Sequence, residues 1–153
     1  MKVSELLESQ SVLLNEGPIA NKLWTKWHKI LKKAETDLKK HAGKQSSHSI
    51  GGNFSAVVSG NVGIRDNYTE HGSYGMNTGW NFMLEIGNNL EGKKSLDEAK
   101  KIFDDLLDVA NSAEDAKVYV HDSSLSIDID GGRLAAKYEY ARSFCWVGIR
   151  VVE

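Results

Sequence analysis

Between Arg65 and Gly79 the chain gathers Arg65, Asp66, Tyr68, Glu70, His71 and Tyr74 within one short stretch. An arginine can grip a phosphate or carboxylate in a two-pronged fork, and a histidine beside carboxylates can move protons near neutral pH. The glycines among them let a backbone approach a ligand closely. The spacing matches neither a metal box nor a nucleophile with its base, and polar loops are rich in these residue types for solvation alone. The six are therefore read as candidate ligand-binding residues, with no catalytic residue assigned.

Other groups carry less chemistry. His121, Asp122, Asp128 and Asp130 read as the wet side of an amphipathic strand, with Arg133 the expected cross-strand partner of Asp130. His28, His41 and His48 lack the helical His-Glu-x-x-His spacing of a zinc site, and neither Gly51-Gly52 nor Gly131-Gly132 leads into a Lys-Ser/Thr helix start. No metal and no cofactor is expected. The single cysteine, Cys145, alternates with Val147, Ile149 and Val151, which predicts a buried and unreactive thiol.

The elements that must hold these residues are legible from periodicity. From Ile19 to His41, apolar side chains recur at Leu23, Trp24, Trp27, Ile30, Leu31, Ala34 and Leu38, the spacing of one helical face. Lys22, Lys26, Lys29, Lys33 and Lys40 stand on the other side, with Lys32 and Lys39 flanking. Eight lysines between Lys22 and Lys44 face only Glu35 and Asp37, in a chain whose net charge is −2, so the charge is strongly segregated. This electrostatic surface lacks arginine and interleaved aromatics, so any nucleic-acid binding would be weak, sequence-independent and salt-sensitive.

Gly43 ends that helix, and residues 44–49 read as a polar linker before Gly51-Gly52. The period then changes to two, at Phe54, Ala56 and Val58, at Val62 and Ile64, and at Trp80, Phe82, Leu84 and Ile86. Ser59-Gly60-Asn61 would be a turn or bulge within the first pair. Asp66 to Gly79 has no apolar period and reads as a long loop, which is uncommon unless functional or mobile. Ser95-Leu96-Asp97-Glu98 spells a capping box, followed by a helix with Leu96, Ala99, Ile102, Phe103, Leu106, Leu107 and Ala110 on one face. Asp104, Asp105 and Asp108 lie opposite, able to sit near the lysines if both helices cover one side of a sheet.

The last forty or so residues predict an antiparallel meander. Gly131-Gly132 as the turn would set Asp130 opposite Arg133, Ile129 opposite Leu134, Ile127 opposite Ala136 and Leu125 opposite Tyr138. Phe144 to Val152 is apolar on both faces, which places it centrally in a sheet or at an interface. The fold class is α+β: a mostly antiparallel sheet of about six strands, covered by a long N-terminal helix and one internal helix. Residues 1–17 form a leader or helical arm and 18–153 a single domain.

The leader opens Met1-Lys2-Val3-Ser4-Glu5-Leu6-Leu7, and contains Leu14-Asn15-Glu16 before Gly17 and Leu6-Leu7-Glu8 before Ser9. It resembles the capsid-targeting leaders of internal head proteins from large contractile-tailed bacteriophages, which a prohead protease cuts after the Glu of a Leu/Ile-x-Glu triplet. The resemblance implies cleavage after Glu16, packaging with DNA, and action against host defences in the host cytoplasm. It covers about a tenth of the chain.

No stretch is apolar enough to span a membrane, so no membrane partner is expected. The leading expectation is a non-enzymatic binding protein acting on a host protein or small ligand. One alternative is an enzyme or sequesterer of a small phosphorylated ligand, with Arg65 and His71 converging on one cavity. Another is a virion protein associated with DNA. The two-sided last strand and the paired tryptophans leave room for a homo-oligomer.

Overall fold

The computed structural model describes residues 17–43, 46–50, 54–58, 60–141 and 144–152, with residues 46–50 and 54–58 described by their backbone. The leader through Glu16 and the Gly51-Gly52 pair lie outside the described residues.

Helix α1 runs Pro18–Lys39, beginning where a proline costs no hydrogen bond. Trp24, Trp27 and Leu31 are fully buried, with Leu23 and Leu38 nearly so, while Lys22, Lys26, Lys29, Lys33 and Lys40 are all exposed. The helix is therefore oily below and positive above, as its spacing requires. Its N-terminus is capped from elsewhere. Gly17, at φ 96, has no side chain to offer, and a Cβ there would stand 2.9 Å from the Asp130 carboxyl carbon. That carboxylate instead accepts from the Ala20 amide at 2.7 Å, so a residue far along the chain fills the capping role.

Strands β1 (Ser46–Ile50) and β2 (Phe54–Val58) form a two-stranded antiparallel sheet. The serine-rich run expected to be linker is thus partly strand, and β2 pairs with it rather than with the strand that follows. Strands β3 (Val62–His71) and β4 (Asn77–Gly87) form a long hairpin, joined through a short 3-10 turn at Ser73–Gly75. The expected loop from Asp66 to Gly79 is mostly ladder. β3 is an edge strand whose residues 65–67 are all exposed, so no apolar alternation marks it.

Helix α2 spans Ser95–Asn111. Its capping box does not form. The Ser95 hydroxyl donates instead to the Gly87 carbonyl, and Glu98 pairs with Lys93 and Lys101. Leu96, expected on the buried face, is 47% exposed, while Ser95 beside it is the buried residue of the first turn. Ala99, Ile102, Phe103, Leu106 and Ala110 are buried as expected.

Strands β5 (Lys117–His121), β6 (Ser124–Ile129), β7 (Gly132–Tyr140) and β8 (Phe144–Val152) complete the fold. The six-stranded sheet has the order β3-β4-β8-β7-β6-β5, antiparallel throughout. The architecture is α+β, with both helices on one face. β8 is central, which accounts for its apolar residues on both sides. The β6–β7 register differs by two residues from the expected one: Asp128 faces Arg133, Ile127 faces Leu134 and Leu125 faces Ala136. The turn residues are Asp130 (φ 53) and Gly131 (φ 79), and Asp-Gly satisfies the paired positive φ of a tight hairpin better than the expected Gly-Gly placement. A two-residue slip leaves every side chain on its face, so the apolar pattern could not detect it.

Under the helices, Phe82, Leu84, Ile86, Leu125, Ile127, Ile129, Leu134, Ala136, Cys145, Val147 and Ile149 form one core with the buried faces of α1 and α2. Trp27 Nε1 donates to the Leu106 carbonyl at 3.0 Å, tying α1 to α2 inside that core. Trp24 and Phe82 pack ring to ring, with centroids 5.9 Å apart. The tryptophans that left room for an oligomer are thus used within the protomer. Cys145 is buried, and burial pushes its thiol up to about 11, the inert behaviour its strand position predicts.

Candidate functional site

The β3–β4 hairpin does two things at once. Its base belongs to the sheet under α1, where the Glu35 carboxylate accepts from the Ile64 amide at 2.8 Å and so closes part of an exposed sheet edge. Its outer half turns onto the face opposite the two helices. The pivot is Asn67, whose φ of 55 interrupts the ladder between the pairs Asp66 with Phe82 and Tyr68 with Trp80. Phe82 packs in the core beneath the helices, whereas Trp80, two residues away, packs against Trp146 on the other side. Residues two apart on a regular strand share a face, so the strand reverses its faces here.

Beyond the pivot, Trp80, Met83 and Trp146 form a second buried cluster, with Tyr68 and Phe144 against it. Trp80 and Trp146 meet edge to face at 5.5 Å, and Tyr68 lies 5.6 Å from Trp146. Gly148 is required beneath them, because a Cβ there would come within 2.8 Å of both indole rings. A charged cluster closes over the aromatics. Lys137 Nζ lies 2.7 Å from Glu70 and 3.1 Å from Glu139, and 5.6 Å from the centre of the Trp146 ring. Trp80 Nε1 donates to the other Glu70 oxygen at 3.2 Å.

Burial pushes the Glu70 carboxyl up, but hydrogen bonds involving Glu139, Lys137 and Trp80 outweigh it and leave Glu70 below the usual glutamate range. Glu139 is held above that range by burial and by its contact with Glu70. Burial, and after it the charge of Glu70, also raises the Tyr68 phenol.

The six residues expected to bind a ligand do not converge. Arg65 pairs with Glu85 at 2.8 Å near the hairpin's base. Asp66 is exposed on the strand, while Tyr68 and Glu70 support the aromatic cluster. His71 Nδ1 sits 3.2 Å from the Asn77 side chain at the far end. Arg65 and His71 are six residues apart on one strand, roughly 20 Å. The convergence that a phosphate-handling enzyme would need is absent.

Tyr74 stands apart from all of them. It is 102% exposed, with φ 58 and ψ 30, at the end of the hairpin beside Met76, which is 74% exposed. The turn that holds them is closed by the Gly72 amide to the Met76 carbonyl at 2.7 Å and by the Met76 amide to the Ser73 carbonyl. Trp80, Lys137, Glu139, Trp146 and Arg150 were not singled out by sequence reasoning. A signal existed for the last: Arg150 is a charged residue inside an otherwise apolar strand.

Lys22, Lys26, Lys29, Lys33 and Lys40 have no ion-pair partner among the described residues, while Lys32 and Lys39 both reach Glu35. The acidic side of α2 does lie across from them: Asp105 and Asp108 line a groove with Lys33 and Lys40 above Ile30 and Ala34. Among the described residues no helix is long and apolar enough to cross a membrane, and no three metal-ligating side chains gather. Comparison with known proteins returns no matching family model, no matching curated protein and no matching solved structure.

Proposed function

We propose that the chain is a non-enzymatic binding protein that engages a macromolecular partner through the tip of the β3–β4 hairpin. The observation that carries this reading is Tyr74, fully exposed on a left-handed backbone that the turn's own hydrogen bonds fix. A bulky residue in that conformation is strained, and an exposed tyrosine gains nothing for the fold. Tyrosine and methionine are both enriched at protein interfaces, and tyrosine also among the few residues that carry most of the binding energy. The Glu70, Lys137 and Trp80 cluster anchors the hairpin to the sheet, so the tip is presented on a rigid base and binding costs less ordering. The resemblance of the leader to phage internal head proteins gives the reading a setting, with a host protein as the partner.

The test is site-specific photocrosslinking from position 74 in a host lysate, with position 119 as a control on an exposed strand. The expected result is one protein captured from position 74, with the parent protein competing that capture away at least tenfold more effectively than a Tyr74→Ala, Met76→Ala double variant. Equal competition by that variant and by the parent protein, with both folded by circular dichroism, would overturn the reading.

The lysine face of α1 supports a second, weaker activity: salt-dependent attraction of polyanions by five exposed ammonium groups without ion pairs among the described residues. Binding to any duplex DNA should fall steeply between low and physiological salt, and sequence preference would sink this reading.

A further inference from the structure

Three arginines lie within the described residues, and two of them hold a carboxylate: Arg65 pairs with Glu85 at 2.8 Å and Arg133 with Asp128 at 2.6 Å. Arg150 holds none among the described residues, and its Nε is buried without a hydrogen-bond acceptor there. The guanidinium carbon lies 5.8 Å from the centre of the Trp80 ring. This half-buried cation borders a hollow of about 340 Å³ between the outer hairpin and the end of β8, whose lining includes Asn67, Thr69, Trp80 and Asn81 but no acidic side chain. Glu70, which accepts from the Trp80 indole N–H, is also committed to Lys137.

We infer that this hollow is an anion-binding site, taking the phosphate or carboxylate group of a ligand on Arg150. A guanidinium resting against an indole keeps its planar edge available for a two-pronged hydrogen bond to two oxygens. The hollow's other polar groups suit the same ligand. The Asn81 carbonyl oxygen accepts from the Val151 amide at 2.8 Å, which leaves the amide nitrogen as that side chain's donor. The Thr69 hydroxyl is a second donor, and Asn67 contributes a third from the pivot position, where φ 55 favours asparagine or glycine over other residues. A cation with no counterion among the described residues is costly to keep half-buried, and an anion entering the hollow supplies one. The residues involved differ from those at the hairpin tip, so the inference stands independently of the proposed partner.

Tryptophan fluorescence reads the site, since Trp80 lies under the guanidinium. The purified full chain is titrated with inorganic phosphate and, separately, with acetate, each against sodium chloride at matched ionic strength. The expected result is a saturable change in the millimolar range with at least one of the two anions, weakened about tenfold in Arg150→Met and a few-fold in Asn67→Gly, whose backbone tolerates the positive φ. Saturation by phosphate alone assigns a phosphorylated ligand, and saturation by acetate alone a carboxylate. Both variants are checked for an unchanged thermal midpoint. If Arg150→Met fails to fold, Asn67→Gly and Arg150→Lys carry the test, the lysine keeping charge but losing the fork. Identical titrations in parent and variants, or a response no larger than that to chloride, would overturn the inference.

Discussion

The two faces of the six-stranded sheet are closed by different means. On one, two helices lay down an extensive aliphatic core joined by Trp24 and Trp27, and polar groups enter it singly, as the Trp27 to Leu106 bond does. On the other, no helix among the described residues lies over the strands, and three large side chains, Trp80, Met83 and Trp146, are buried by an outer hairpin and a charged cluster around Lys137. The first face spreads its stabilisation over many contacts. The second concentrates it on a few rings, one glycine and one ammonium group, and that is the side from which the exposed tip and the unpaired arginine project. A face closed by few interactions is one whose shape a partner or ligand can influence.

The comparison can be broken or sharpened by substitution. Trp27→Ala should have the largest effect, about 3–5 kcal/mol of unfolding free energy, because it opens a cavity and removes a buried hydrogen bond between the helices. Urea denaturation measures it, and a loss under about 1 kcal/mol would mean that the helices contribute less than their burial implies. Gly148→Ala should cost about 1–3 kcal/mol by driving a Cβ against both indoles. It should quench or shift tryptophan emission from the open face while leaving helical circular dichroism intact, whereas equal loss of both signals would show that the two faces unfold together.

Asp130→Ala should cost about 1 kcal/mol by uncapping α1, visible as faster amide exchange confined to the first turn. Gly17 cannot replace that cap.

The smallest effect separates the faces by pH. His28 is buried against Phe82, with Nδ1 lacking a partner, and burial followed by Lys32 holds its pKa below 6.5, against the opposing charges of Asp66 and Glu35. The unfolded chain therefore takes up a proton more readily than the folded one. His28 thus contributes stability above pH 6.5 that is lost as pH falls toward its lower folded value. On the open face, Glu70 contributes stability above the ordinary glutamate value of 4.5 that disappears only below it. Glu139, raised, acts in the opposite sense, its contribution being present at low pH and lost as pH rises through its folded value. Denaturation midpoints between pH 7 and 5 should fall gently in the parent and flatten in His28→Leu. A slope unchanged by that substitution would place the titrating group elsewhere.

Much of the helix-covered face was legible in advance, since the three-or-four spacing of α1 and α2 and the alternation of β6 and β8 directly report burial. The outer hairpin was not, for a physical reason in each case. β3 is an edge strand wet over much of its length, so Arg65, Asp66 and Asn67 carry no alternation, and Asn67 then reverses the faces. The Ser95 box was misleading because a hydroxyl takes whichever partner folding brings nearest, here the Gly87 carbonyl. Tyr68 and Glu70, picked out as ligand contacts, also pack with or bond to the aromatic cluster, and Tyr68 lines the hollow beside Arg150.

By itself, the sequence determined the α+β class, the amphipathic sense of both helices, the central position of β8 and the inert character of Cys145. These depend on hydrophobic periodicity, which is local and repeats along the chain. Only the tertiary structure decided the β6–β7 register, the cap lent to α1 by Asp130, the reversal at Asn67 and the isolation of Arg150 from every carboxylate among the described residues. The cap joins residues 110 apart and the isolation of Arg150 depends on where distant carboxylates settle, whereas the register slip is local but leaves the apolar alternation unchanged, so hydrophobic periodicity reports none of them.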